Sequence, residues 1–298
     1  MRNIGHKAFI PRFLTDPAQL AVVAAQFSCV APRDGAQNGP AALIASGLLD
    51  EIQLRSDKTI GQYHLGQTGP RSNHNPDTDP DVDGMKRPRA VSAATQQINE
   101  RVYHHARQGR FVLTLGGDYS IGIGTVSATA KAVRERHPGL EVAVMWVDAH
   151  ADINTPQTSL SGRLHGMPKL VYIGLRDVDD AEWQTIVITA SRHSPWPTSS
   201  VLIRLHRYGI QTIMDWALDH VGPSRIHVSY EIDALDPQCA PSTGFPVASG
   251  LSLDESQHIA ARLQTTGKVV ALDLVGISPQ IATASLPLTV GTASSIVK

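Results

Sequence analysis

The chain has 298 residues, 42% hydrophobic and 18% charged, with a formal net charge of -1. That balance suits a globular core, and the length fits a single α/β domain over 1–298. No sustained Lys/Arg run offers a footprint for nucleic acid or an anionic membrane, and no apolar run is long enough to span a bilayer.

The opening residues, MRNIGHKAFIPRFLTD, lack the apolar core of a secretory signal, so a cytoplasmic protein is expected. Residues 19–28 read as a buried strand. The loop after it begins at Cys29, which with Cys239 makes two cysteines, too few for a disulfide framework and consistent with a reducing compartment. Gly39-Pro40 leads into AALIASGLLDEIQL, whose apolar residues recur at helical spacing, with the proline in the first turn. Residues 66–88 are rich in Pro, Asp, Asn and Gly and read as a surface loop, their aspartates solvated because no apolar frame fixes them. A helix is expected over 90–108.

Strand-like runs follow at 111–115, 142–147, 170–175, 226–230 and 269–274. Each has polar or glycine-rich sequence at its C-terminal end: GGDYS, DAHADIN, RDVD, EIDALDP and VGISP. Alternation with helical stretches such as 125–136 predicts βα units and a parallel sheet. In such sheets the carboxyl ends of the strands carry the site, so acids far apart in sequence converge. Two segments fit poorly. Only 155–169 separate the DAHADIN motif from the next strand, short for a crossover that also holds the loop SGRLHGMP, so part of the sheet is expected to lack a covering helix. Residues 183–204 have no clear period and support no element assignment.

The most specific motif is Asp148-Ala149-His150-Ala151-Asp152. At the end of a buried strand, alternate residues share a face. Two carboxylates and an imidazole there are costly to desolvate without a cation or donors. The plainer alternative, a set of loop caps, ranks below a metal site. Glu231 and Asp233 repeat the pattern at the end of RIHVSY, with Asp236 following. The mostly oxygen ligand set suits a hard divalent ion such as Mn²⁺ better than a thiolate zinc site. Two ions sharing carboxylates at ~3.5–4 Å activate water for hydrolysis. His165 in SGRLHGMP is a candidate proton shuttle; standing alone, it would read as a loop histidine bonded to backbone.

GGDYS, VDAHADINTP, SGRLHGMP, VYIGLRDVD, SYEIDALDP and PSTGFPVASGL resemble, in order, the successive motifs of the arginase (ureohydrolase) family. MKRPRAVSAATQQINERVYHHARQGRFVLTLGGD is most similar to fungal arginases. The resemblance runs from about residue 13 to near the C-terminus, with 168–207 divergent and shortened. It implies a three-layer α/β/α fold with a parallel sheet, a two-Mn²⁺ centre, a homo-oligomer, often a trimer, and hydrolysis of L-arginine to L-ornithine and urea. Asp148, His150, Asp152 and Asp233 match family metal ligands, and His165 matches the catalytic histidine. Asn154, Ser161 and Asp179 match residues that hold the amino-acid end of arginine.

Several positions depart from the family pattern. Tyr119 stands where the family has a metal-ligating His, and a neutral phenol is a poor replacement. Glu231 replaces a bridging Asp, and its extra methylene moves the carboxylate. Gly276 stands where a Glu binds the substrate guanidinium, Phe245 where the family has Thr, and Arg163 where it has Asn. Four readings stay open. They are a weakened arginase, a non-catalytic binding or regulatory relative, a hydrolase of another guanidino or amide compound, and a degenerate chain exposing apolar surface.

Overall fold

The computed structural model describes residues 13–15, 19–28, 35–55, 59–65, 79–82, 85–152, 169–191, 201–202 and 205–298. The strands are β1 (Gln19–Ala25), β2 (Thr59–Leu65), β3 (Phe111–Gly116), β4 (Val142–Val147), β5 (Lys169–Ile173), β6 (Val201–Leu202), β7 (Arg225–Glu231) and β8 (Val269–Val275). They form one sheet in the order β2-β1-β3-β8-β7-β4-β5-β6. Every pairing in it is parallel.

The helices are α1 (Gly39–Ala45), α2 (Leu48–Arg55), α3 (Pro88–Ala106), α4 (Gly122–Arg136), α5 (Asp180–Ser191), α6 (Leu205–Val221), α7 (Leu253–Thr266) and α8 (Leu286–Val297). Strand side chains alternate between faces, and the core divides the same way. Val22, Leu113, Met145 and Ile173 pack with residues of α1, α2, α6, α7 and α8. Val23, Val112, Val144 and Tyr172 pack with residues of α3, α4 and α5. The expected three-layer α/β/α architecture is therefore present. Strands covered on both faces need near-continuous apolar sequence, and VAVMWV in β4 is buried at every position.

The sequence reading needs five corrections. The helix expected after Gly39-Pro40 is two helices, parted at Ser46-Gly47. β2 was not expected: TIGQYHL has little apolar period, and it lies at the edge of the sheet, where one side needs no partner strand. The segment 183–204 is regular over its first part, because α5 runs to Ser191, and it also holds β6. Asp179 and Glu182 start α5 by exchanging bonds: Glu182 N–H donates to Asp179 Oδ1 (2.8 Å) and Asp179 N–H to Glu182 Oε2 (3.2 Å). The gap expected in the sheet's cover is filled in part, since Ile186 of α5 joins the cluster that contains Tyr172 and Leu175.

Within 66–88, Asp79 is more than a solvated acid. It accepts the backbone N–H groups of Arg89 (3.1 Å) and Ala90 (2.9 Å) at the start of α3. Asp81 accepts Lys86 Nζ at 2.7 Å. The crossover loop at 155–168 lies outside the described residues.

Candidate metal centre

β3, β8, β7 and β4 are neighbours in the sheet, so their carboxyl ends converge. Gly116-Gly117-Asp118-Tyr119 leaves β3, Asp148 to Asp152 leave β4, Glu231 closes β7, and Gly276 follows β8. Each turn has a local cause. Gly117 passes so close to Phe27 that a Cβ would lie 1.8 Å from the Phe27 carbonyl oxygen, so only glycine fits. Asp118 caps the turn after it by accepting the Ser120 N–H at 3.1 Å. Beyond Glu231 a 3-10 turn over Ile232–Ala234 brings Asp233 back to the same side. Asp152 takes a left-handed backbone, φ 52°, which aspartate tolerates better than most residues.

Two candidate ligand sets result, and Asp148 belongs to both. One atom from each of Asp148, His150 and Asp233 lies within 4.8 Å of the others, and the same holds for Asp148, Asp152 and Glu231. Asp148 is fully buried. Its Oδ2 accepts Trp146 Nε1–H (2.8 Å) and its Oδ1 accepts the His150 backbone N–H (2.8 Å). The His150 ring lies between acids. Its Nδ1 is 3.3 Å from Asp148 Oδ1 and 3.6 Å from Asp233 Oδ2, and its Nε2 is 3.7 Å from Asp177 Oδ2. Tyr119 donates its hydroxyl to Asp233 Oδ2 at 2.8 Å. Phe245 packs edge-on to His150 at 5.7 Å and lies 6.1 Å from the Tyr119 ring.

The electrostatics are those of a pocket short of positive charge. Burial, then the charges of Asp148, Asp152 and Asp233, push the Glu231 carboxyl well above the usual carboxylate range. Burial and Asp148 also raise Asp233, with His150 and Tyr119 opposing. Burial works against the Asp148 carboxylate too, but hydrogen bonds from His150 and Trp146 outweigh it, so its pKa is lowered. Burial pulls His150 down, yet Asp148 and Asp233 raise it to about 9. Burial, then Asp233 and Glu231, raise the Tyr119 phenol well above its ordinary value. Both oxygens of Glu231 and Oδ1 of Asp233 are buried without a hydrogen-bond partner among the described residues. Orphaned buried carboxylate oxygens are costly, and a hard divalent cation is the ligand that satisfies them. The residues therefore fit a metal ion.

Of the residues singled out from sequence, the fold brings Tyr119, Asp148, His150, Asp152, Glu231, Asp233, Phe245 and Gly276 to one place. Asp179 is half-buried at the start of α5, and Asp236 instead folds its own loop, accepting the N–H groups of Gln238 (2.9 Å) and Ser249 (2.8 Å). Asn154, Ser161, Arg163 and His165 lie outside the described residues.

Sequence reasoning missed Arg176. Its guanidinium donates to the backbone oxygens of Asp233 (2.6 Å), Ala234 (3.1 Å) and Val247 (2.7 Å), tying the Asp233 turn to the loop that carries Phe245. The only sequence signal was a charged residue directly after an apolar strand. It also missed Trp146, part of the apolar run 142–147, whose indole N–H fixes Asp148.

Comparison with known proteins gives one consistent result. The model of the Arginase family matches residues 18–298. The Arginase of Coccidioides posadasii is 45% identical over 320 aligned positions, covering 96% of this chain and 95% of its own. A cold-adapted arginase from the yeast Glaciozyma antarctica superposes with a TM-score of 0.69 at 33% identity, covering 96% of this chain and 94% of its own. The fold also matches that of Entamoeba histolytica arginase, solved with L-ornithine: TM-score 0.81, 22% identity, coverage 94% and 99%.

Proposed function

The chain belongs to the arginase family, and from that premise we propose that it hydrolyses L-arginine to L-ornithine and urea at a Mn²⁺ centre, at a rate lowered by its own substitutions. The observation that carries this is the pair of carboxylate sets sharing Asp148, with orphaned oxygens on Glu231 and Asp233. Asp148, His150, Asp152, Glu231 and Asp233 are the residues to hold metal. When bound, a divalent ion makes water acidic enough to act as a nucleophile near neutral pH.

The chain's own residues do the rest. Trp146 and the His150 N–H fix the Asp148 carboxylate in one orientation. Arg176 holds the Asp233 turn. Phe245 packs edge-on against His150 on the aromatic side of the site. By resemblance, Asn154, Ser161 and Asp179 orient the amino-acid end of the substrate. His165 carries the proton to the departing amine, an assignment suited to imidazole's titration near neutrality.

The lowered rate follows from Gly276. Losing the carboxylate partner of a buried guanidinium costs ~2–5 kcal/mol, and here its position has no side chain. Glu231 moves a ligand by one methylene, a displacement of a kind that costs about 10²-fold. Phe245 and Gly276 also favour a second reading, a substrate less cationic at this end, such as another guanidino compound or an amide. A non-catalytic binding role is the third.

Urea release by Mn²⁺-loaded protein decides among these. Measurable release from arginine is expected, rising ~10²-fold or more in a folded Tyr119→His, Glu231→Asp, Gly276→Glu triple variant. No urea from either protein would remove arginine as the substrate.

The remaining expectations belong to the same reading. No helix among the described residues is long and apolar enough to cross a membrane. Two cysteines, too few for a disulfide framework, support a cytoplasmic enzyme. A homo-oligomer, a trimer by resemblance, is checked by light scattering on the purified chain. One continuous eight-stranded sheet supports reading 1–298 as one folding unit.

A further inference from the structure

The two ligand sets around Asp148 are unequal, and the difference bears on how many ions they hold; the inference rests on the metal-centre reading above. In the set of Asp148, His150 and Asp233, protein groups already occupy Asp233 Oδ2, while its Oδ1 has no partner among the described residues. Tyr119 places its hydroxyl hydrogen on Asp233 Oδ2 at 2.8 Å. The same oxygen faces His150 Nδ1 at 3.6 Å, and that nitrogen also faces Asp148 Oδ1 at 3.3 Å. An ion using Asp233 Oδ2 competes with a donated proton and with the imidazole edge.

The other set is different. Glu231 is 1% exposed, and neither of its oxygens has a hydrogen-bond partner among the described residues. It shares its corner with Asp148 and Asp152, a set of carboxylates alone. As ionised carboxylates, the three need a cation to be stable in a buried place.

Tyr119 is also held where it is. Its ring lies over Gly276, where a Cβ would be 2.9 Å from ring atom Cε1 and 3.2 Å from the hydroxyl oxygen. Phe245 flanks the ring from the loop side. The ring thus occupies space left by the missing side chain at 276, and any side chain there would displace it. The two substitutions form one unit: Gly276 makes room for Tyr119, and Tyr119 brings a donor to Asp233.

We propose that the centre is mononuclear, with one divalent ion held by Asp148, Asp152 and Glu231, and with the Tyr119 hydroxyl standing in for a second ion at Asp233. Tyr119 then sets the metal count. A neutral phenol is a poor ligand, because metal ligands bind deprotonated. Replacing it with an imidazole removes the donated proton and supplies a ligand nitrogen.

The test uses the full-length protein, stripped with chelator, loaded with Mn²⁺ and desalted. Metal per chain is measured by mass spectrometry, and electron paramagnetic resonance reads whether the Mn²⁺ is isolated or exchange-coupled. One ion per chain with the resolved hyperfine lines of isolated Mn²⁺ is expected. Tyr119→His should double the metal content and bring in the coupled spectrum. Glu231→Gln should lose the ion, and His150→Ala should keep it.

Two ions in the unaltered protein, or none, overturns the proposal. So does an ion kept in Glu231→Gln and lost in His150→Ala. A cooperative melt by circular dichroism shows which variants fold, and the unaltered protein decides if none does. Urea release on the same samples separates the two claims. Two ions with urea defeats the mononuclear centre and leaves the arginase reading, while one ion without urea does the reverse.

Discussion

β7 and β8 carry buried polar groups in two places, and the two are built on opposite plans. In the middle of the strands, His227 and Asp273 face α4. His227 Nε2 lies 2.9 Å from Asp273 Oδ2 and its Nδ1 lies 3.0 Å from Thr129 Oγ1, while Thr125 donates its hydroxyl to the same Asp273 oxygen. Only Asp273 Oδ1 lacks a partner among the described residues. At the C-terminal ends, Glu231 has no partner for either oxygen and Asp233 lacks one for Oδ1 among those residues. A buried network whose members satisfy one another specifies structure, whereas one left open calls for a ligand. The two regions share strands and burial, so the difference in function comes from the donors each has been given.

The largest effect should come from breaking the closed network. Asp273→Ala leaves His227 Nε2 and the Thr125 hydroxyl without their acceptor in a buried layer. A buried donor left without its acceptor costs ~1–3 kcal/mol, and two are left here, read as a lower midpoint in urea unfolding. A loss below about 1 kcal/mol would mean water or a shifted Thr125 replaces the carboxylate, and the network would not be closed in the sense argued.

The open site should respond in the opposite direction, to addition rather than removal. Mn²⁺ at about 1,000 times its dissociation constant stabilises a protein that binds only when folded by ~4 kcal/mol. Differential scanning calorimetry with and without the ion should show the higher melting temperature, and Glu231→Gln should abolish the rise. A rise that survives in Glu231→Gln would place the ion elsewhere and close the gap between the two regions.

A smaller effect tests the link between Tyr119 and Gly276. Gly276 has φ 87°, which an L residue adopts only under strain, and its missing Cβ would lie against the Tyr119 ring. Strain of this kind costs ~1–3 kcal/mol. Gly276→Glu alone should therefore destabilise the chain, and Tyr119→His should relieve the collision but not the backbone strain. The double-mutant cycle should show a coupling of ~0.5–3 kcal/mol. Additive losses would mean that the ring and position 276 are independent.

These contrasts bear on what sequence could show. The parallel sheet was legible because buried strands such as VAVMWV need apolar runs and because their polar ends recur. The cluster at 148, 150, 152, 231 and 233, which the fold brings together as a candidate metal site, was legible for a related reason: acids at alternate positions directly after an apolar run are costly to bury unless a cation meets them. The closed network was not, because Asp273 is a single polar residue in an apolar strand, His227 is one of several polar residues in β7, and their partners Thr129 and Thr125 look like ordinary helix residues. β2 was missed because an edge strand does not need two apolar faces. Tyr119 was read as a lost ligand, but its bond to Asp233 spans 114 residues and exists only once the strand ends meet. Arg176 is hidden likewise, since its partners are backbone oxygens, which leave no mark in sequence.

The smallest expected effect isolates that Tyr119 bond. Tyr119→Phe keeps the ring over Gly276 and beside Phe245 and removes only the hydroxyl. In chelator-treated protein, Asp233 then loses a donor on Oδ2 while its Oδ1 already has no partner among the described residues. The net worth of such a bond is ~0.5–1.5 kcal/mol, so urea unfolding at neutral pH should show a loss of that size. An unchanged midpoint would mean the hydroxyl does nothing for Asp233 in the metal-free protein, and the Asp233 side of the pocket would be as open as the Glu231 side. The measured loss would instead place Tyr119 with the closed network of His227 and Asp273: a polar group that holds structure, at the edge of a site whose other side is built for a cation.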